Sequence, residues 1–238
     1  GSCGSVVWTS STALVGWLGA EPSRISALVA GASILELGAG VGFVGTAMLR
    51  MGAARVLVTD LPKQQWLIRQ NLRANLEASP PTEESRPGGA RRPCVHSCSL
   101  VWGDMDSPVL RERWDLVVGC DVVYDLGQVP HLADTLTSLL EGSERSCGDA
   151  GGTRVLLALP DRDDFGYKRR DGSTGEWTPT LPDYEVLLAD LEKRMPGRLD
   201  VVLLDSIPPG DAASEYADCG TSVHVILLSR SSMEPARP

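Results

Sequence analysis

The chain has 238 residues, 42% of them hydrophobic and 22% charged, with a net charge of −9 and an isoelectric point near 4.9. That balance argues against a protein that coats nucleic acid through phosphate neutralisation, and it suits either a basic partner or plain solubility. No apolar run reaches the roughly 18 residues of a membrane span and no signal peptide is recognisable, so neither nucleic acid nor membrane is expected as a partner.

The chain opens on Gly-Ser without an initiator Met, as a chain trimmed from a longer protein would. Residues 4–18 begin with small residues and Trp8, then continue in a helical apolar pattern through Ala13, Leu14, Trp17 and Leu18, with Ser10, Ser11 and Thr12 as candidate helix caps. A tryptophan placed before a helix serves a core or closes over a flat ligand. Next comes ILELGAGVGFVG at 34–45: a short apolar strand, a turn of Gly38, Ala39, Gly40 and Gly42, and a helix patterned on Phe43, Val44, Ala47, Met48 and Met51. Gly52 stops that helix, and RVLVTD forms a second strand ending in Asp60.

This βαβ unit reads as an adenosine-cofactor site. Glycines allow close backbone approach, and an acid at the second strand end sits where ribose hydroxyls are held. Two fingerprints fit it. Gly40, Gly42 and Gly45 satisfy G-x-G-x-x-G, with Asp60 twenty positions after Gly40, which suits a dinucleotide. Glu36, Gly38, Gly40 and Gly42 satisfy E-x-G-x-G-x-G, which suits a methyl donor.

Residues 63–78 predict a helix with Trp66, Leu67, Leu72 and Leu76 on one side, and the Pro- and Gly-rich span 79–93 predicts a flexible insertion. CVHSCSLVW resumes as a third strand closed by Trp102, Gly103 and Asp104. An aromatic face and an acid there suit an adenine, although an ordinary turn fits as well. Cys94, His96 and Cys98 lack a second cluster to complete a metal site, so no metal is expected. The scattered cysteines point to a reducing compartment: the cytoplasm, or the nucleus. In WDLVVGCDVVYDL, 114–126, a buried fourth strand at Leu116–Val118 delivers Asp121 and Tyr124 to its carboxyl end. Asp121 is either functional or a cap on the next helix, 127–141.

ELGAGVG, Asp60, Trp102-Gly103-Asp104 and above all GCDVVYD at 119–125 resemble the class I seven-β-strand S-adenosylmethionine methyltransferases of the protein-lysine group, methyltransferase family sixteen. The resemblance runs from Trp8 to about Leu159. It implies an α/β, Rossmann-like seven-stranded sheet of order 3-2-1-4-5-7-6, its last strand antiparallel, with helices on both faces. It also implies S-adenosyl-L-methionine as cofactor, bound by Trp8, Glu36, Gly38, Ala39, Gly40, Gly42, Asp60, Leu61, Trp102, Gly103 and Cys120. Asp121 and Tyr124 would stand at the methyl-transfer end, with a lysine of a protein substrate as acceptor. Thr9 after the first tryptophan and the proline-rich insertion depart from the family's usual pattern.

The rest of the chain agrees: a fifth strand at 153–160, a charged loop at 161–181, a helix at 182–195 and a terminal strand pair at 199–208 and 222–230. One domain over 1–238 is expected, comprising an N-terminal helical lid (1–32), a cofactor core (33–160) and a substrate-side remainder (161–238), working as a monomer. Three alternatives remain open: a methyltransferase of the same fold acting on arginine, histidine or a small molecule, a non-catalytic binding module, and a nicotinamide oxidoreductase. The terminal strand pair and the lack of a hydride-transfer constellation weigh against the last.

Overall fold

Strand and helix alternate along the chain because short β-branched runs alternate with amphipathic stretches, the pattern that builds a parallel sheet with helices on both faces. A computed structural model describes residues 3–77, 94–142, 152–161, 183–208 and 222–231. The insertion expected at 79–93 lies outside them, as does the charged loop beyond Asp161. Seven strands of the described residues form one sheet: β1 (Ser33–Leu37), β2 (Arg55–Asp60), β3 (Cys94–Ser99), β4 (Leu116–Cys120), β5 (Arg154–Pro160), β6 (Leu199–Ile207) and β7 (Val223–Arg230). Their order is β3-β2-β1-β4-β5-β7-β6, the order that the resemblance implies. β7 runs antiparallel to both β5 and β6, while the β1, β2, β3, β4 and β5 pairs are parallel.

Among the described residues six α-helices cover the sheet: α1 (Thr9–Ala20), α2 (Pro22–Leu28), α3 (Phe43–Arg50), α4 (Gln65–Glu77), α5 (Val129–Gly142) and α6 (Asp183–Arg194). One face buries Leu14 and Leu18 of α1, Val44 and Met48 of α3, and Ile68 and Leu72 of α4 against Ile34, Val56, Val58, Leu116 and Val118. The opposite face buries Leu132, Leu136 and Leu140 of α5 and Leu187 and Leu191 of α6 against Leu35, Val117, Val155 and Leu157. The central strands are apolar on both sides, as a covered parallel sheet requires.

Three local expectations change. Trp8 itself is the N-cap of α1 and no side chain caps that end, so the run from Ser10 to Thr12 lies inside the helix, where the Thr12 hydroxyl donates to the Thr9 carbonyl at 2.9 Å. At the entry to α5 the capping carboxylate is Asp125, which accepts the Gly127 N–H at 3.0 Å. Trp66 does not share the buried side of α4 but is 71% exposed. Ile68 carries the stripe instead with Leu72, because two residues of helix turn the direction by roughly 200°. Among the described residues no helix is long and apolar enough to cross a membrane.

Candidate active site

Gly38, Gly40 and Gly42 all have left-handed backbone, with φ of 61°, 56° and 77°, so the chain leaves β1 in a turn that side chains resist. The Ala39 N–H donates to the Thr59 carbonyl at 3.0 Å, which ties the turn to β2, and the Gly42 N–H donates to the Ala39 carbonyl at 2.9 Å, which closes the turn on itself. Gly42 is the N-cap of α3, with no side-chain cap. Gly45 lies inside α3 so close to the sheet that a Cβ would come within 2.5 Å of Glu36 Oε2. Glycine there sets the spacing of helix to strand.

Glu36 occupies a position where the pattern of β1 would place an apolar residue, and it is 3% exposed. Its Oε2 accepts the Gly45 N–H at 2.9 Å. Burial, opposed by that hydrogen bond and reinforced by the nearby Asp60 charge, pushes its carboxyl up from 4.5 to about 8. Asp60 at the end of β2 is held by both oxygens: Gly40 N–H donates to Oδ2 at 2.7 Å and Leu61 N–H to Oδ1 at 2.6 Å. Its carboxylate is thereby fixed beside the glycine turn. The backbone of Gly4, in the turn Cys3–Ser5, lies against Gly40 on the other side.

The third and fourth strand ends meet the same turn. A Cβ on Gly38 would stand 3.1 Å from both Trp102 Cζ2 and Val122 Cγ1, so the indole and the residue after Asp121 flank the first glycine. Gly103 takes φ 82°, donates to Thr135 Oγ1 at 2.9 Å, and packs on His131 so that a Cβ would stand 2.7 Å from Nδ1. Trp102 is thus aimed at the turn by α5 rather than by its own strand, which ends at Ser99.

Asp121 is the one non-glycine residue with positive φ (53°) among those described, a left-handed geometry that Asp tolerates better than most side chains. Its N–H donates to the Ala158 carbonyl at 3.0 Å, pinning the bend to β5, and the residue is 8% exposed. Tyr124 is 48% exposed at the rim. Burial is the main force that pushes the Cys120 thiol up, helped by the Glu36 charge and opposed by a hydrogen bond with Ser11. α1, with Trp8 as its N-cap, packs against β4 and β5. Glu36, the glycine turn, Asp60, Leu61, Trp102, Gly103, Cys120 and Asp121 therefore gather at the carboxyl edge of the sheet, with Trp8 nearby and Tyr124 outermost.

Several supporting residues carry no signal in the sequence. Gln65 holds the Cys98 carbonyl at 2.7 Å, the Thr59 hydroxyl holds the Glu36 carbonyl at 2.6 Å, and Thr135 holds Gly103. Each is a polar side chain on an otherwise ordinary element, and only the packed fold reveals its partner.

A family model described as lysine methyltransferase matches residues 1–150. EEF1A lysine methyltransferase 3 of Xenopus tropicalis is 29% identical over 160 residues, 67% of this chain and 59% of that protein. The Mus musculus protein of the same name is 35% identical over 136 residues, 57% of this chain and 48% of that one. Protein N-lysine methyltransferase METTL21A of Mus musculus is 31% identical over 156 residues, 65% of this chain and 59% of that protein. The chain thus spans from about half to three-fifths of the length of these relatives. Among solved structures, the methyltransferase domain of bacterial CtHen1-C superposes with a TM-score of 0.55 at 13% identity, covering 91% of this chain and 97% of that one. At that identity the likeness is one of fold.

Proposed function

The chain belongs to the lysine methyltransferase family, and we propose that it is an S-adenosylmethionine-dependent protein methyltransferase that transfers a methyl group to a lysine ε-amine. The observation that carries this reading is the convergence of three strand ends on Gly38, with Trp102 and the residue after Asp121 both at 3.1 Å from its missing Cβ. All the described strands join one sheet, which supports reading 1–238 as a single domain with 33–160 as its cofactor half.

The residues fit an adenosyl methyl donor. Gly38 and Gly40 turn the backbone left-handed at the end of β1, bringing it up against Trp102 and Asp60, Asp60 keeps acceptor capacity for ribose hydroxyls, and Trp102 offers an aromatic face. When bound, S-adenosylmethionine supplies a methyl group already activated on a sulfonium. The protein's task is then to align the acceptor amine and strip its water. Lysine has a reference pKa of about 10.4, and only the neutral amine carries the attacking lone pair. A carboxylate at Asp121 holds the arriving ammonium and orients it, while desolvation at the mouth favours loss of its proton. Asp121 is accordingly an orienting group rather than a strong base. Tyr124, at the rim, is assigned the shaping of the acceptor channel, with its hydroxyl as the relay of the proton.

The substrate is a protein, and the unpaired thiols of Cys94, Cys98 and Cys120 suit a reducing compartment such as the cytoplasm. The test is to incubate the protein with a cell lysate and radioactive methyl donor, hydrolyse the labelled product and separate its amino acids. Label in methyl-lysine that disappears with Asp121→Asn is the expected result. Label in methyl-arginine, methyl-histidine or a small molecule, or no label at all, would overturn the acceptor assignment.

A further inference from the structure

A groove of about 510 Å³ opens beyond the cofactor mouth, bordered by Pro62, by Ser99 at the end of β3, and by Trp66, Arg69, Gln70 and Arg73 on the outer face of α4. Two features set it apart. Trp66 is the most exposed large apolar side chain among the described residues, at 71%, although it starts a helix that buries Ile68 and Leu72 beside it. Arg69 and Arg73 are the two described arginines with no hydrogen bond or ion pair. Arg24, Arg55, Arg111, Arg194 and Arg198 face carboxylates, Arg50 and Arg154 hold carbonyls, and Arg113 and Arg230 are also engaged.

A chain of net charge −9 that leaves two arginines unpaired next to a bare indole presents a local cationic site within an acidic surface. From this we infer that the groove docks an extended acidic segment of a protein partner. The spacing fits such a segment: residues four apart on a helix stand about 6 Å apart along its axis, and same-face side chains of an extended strand recur about every 6.8 Å. A partner with acid-x-acid therefore sets one carboxylate on Arg69 and the next on Arg73, with a flanking apolar residue covering Trp66. Planar guanidinium groups favour carboxylates in two-bond geometry, and the indole supplies the apolar anchor common at interfaces. Two cations are few for a nucleic acid, whose dense charge the rest of the surface repels. The inference does not depend on methyl transfer, since no residue of the groove belongs to the proposed acceptor mouth.

Fluorescence anisotropy with a fluorescein-labelled peptide containing Leu-Ser-Glu-Ser-Glu tests it, with the Gln-for-Glu peptide and a single-stranded RNA oligonucleotide as comparisons. Calorimetric binding of S-adenosylhomocysteine reports that each variant keeps its fold. Saturable binding of the acidic peptide, weakened roughly tenfold by Arg69→Glu with Arg73→Glu and several-fold by Trp66→Ala, is the expected result. Affinity should also fall as salt rises, because the pairs are exposed. Equal binding by wild type and variants, equal binding of the Gln peptide, no saturable binding, or tighter binding of RNA through the same residues would each overturn the inference.

Discussion

Replacing Gly38 with alanine should do more damage than the backbone angle alone explains. At φ 61° an L side chain costs about 1–2 kcal/mol, offset by a few tenths to about 1 kcal/mol because alanine loses less freedom on folding than glycine. The new Cβ must also stand 3.1 Å from both Trp102 Cζ2 and Val122 Cγ1, so one of them shifts by a few tenths of an ångström. Overpacking of this kind costs about 1–3 kcal/mol. Gly197→Ala is the control: its φ is 64°, close to that of Gly38, and nothing lies within 4 Å of its Cβ, so it carries the backbone cost alone. For a chain of this length each kcal/mol moves the thermal midpoint by about 2–4 °C, so Gly38→Ala should fall below Gly197→Ala by several degrees. Displacing the indole should also weaken S-adenosylhomocysteine about tenfold by calorimetry, while Gly197→Ala leaves it unchanged. Equal midpoints and equal affinities for the two variants would refute the placement of Trp102 against the glycine turn.

Asp121→Asn keeps a residue that tolerates the left-handed bend while removing the charge, so turnover should drop by about 100-fold or more with S-adenosylhomocysteine affinity nearly unchanged. Normal turnover would take Asp121 out of the mechanism. Glu36 gives a pH signature. Because its carboxyl is raised from 4.5 to about 8 in the fold, the folded chain holds a proton that the unfolded chain releases between those values. Stability should therefore fall as pH rises through that window, by at most about 1.4 kcal/mol per pH unit. Glu36→Gln can still accept the Gly45 N–H and should lose this slope, gaining on wild type from pH 5 to pH 8 in urea titrations. A pH-independent difference between the two would show that Glu36 is ionised in the fold.

Much of the fold was legible because its signals are local. The glycine turn can be read from composition, the strands from their β-branched runs, and the end of β4 from an acid placed after LVVGC. What escaped depends on contacts distant in sequence. On α4 Trp66 outweighs Ile68 in hydrophobic bulk, yet the sheet lies under Ile68. Asp125 rather than Asp121 caps the next helix because Asp121 is bent left-handed and pinned to Ala158. Nothing in ILELGAG reveals that Glu36 points into the α3 face to meet Gly45, since a motif gives residue order without side-chain direction. Trp102 could be read as aromatic and near the third strand, but its aim is set by Thr135 and His131 of α5 through Gly103.

Titration calorimetry of the whole chain with S-adenosylhomocysteine and with NAD tests most directly the proposed adenosyl-donor site at Asp60, the glycine turn and Trp102. Saturable one-to-one binding of S-adenosylhomocysteine, lost or strongly weakened by Asp60→Ala, with no binding of NAD, is the expected result. Binding of NAD without binding of S-adenosylhomocysteine would contradict it.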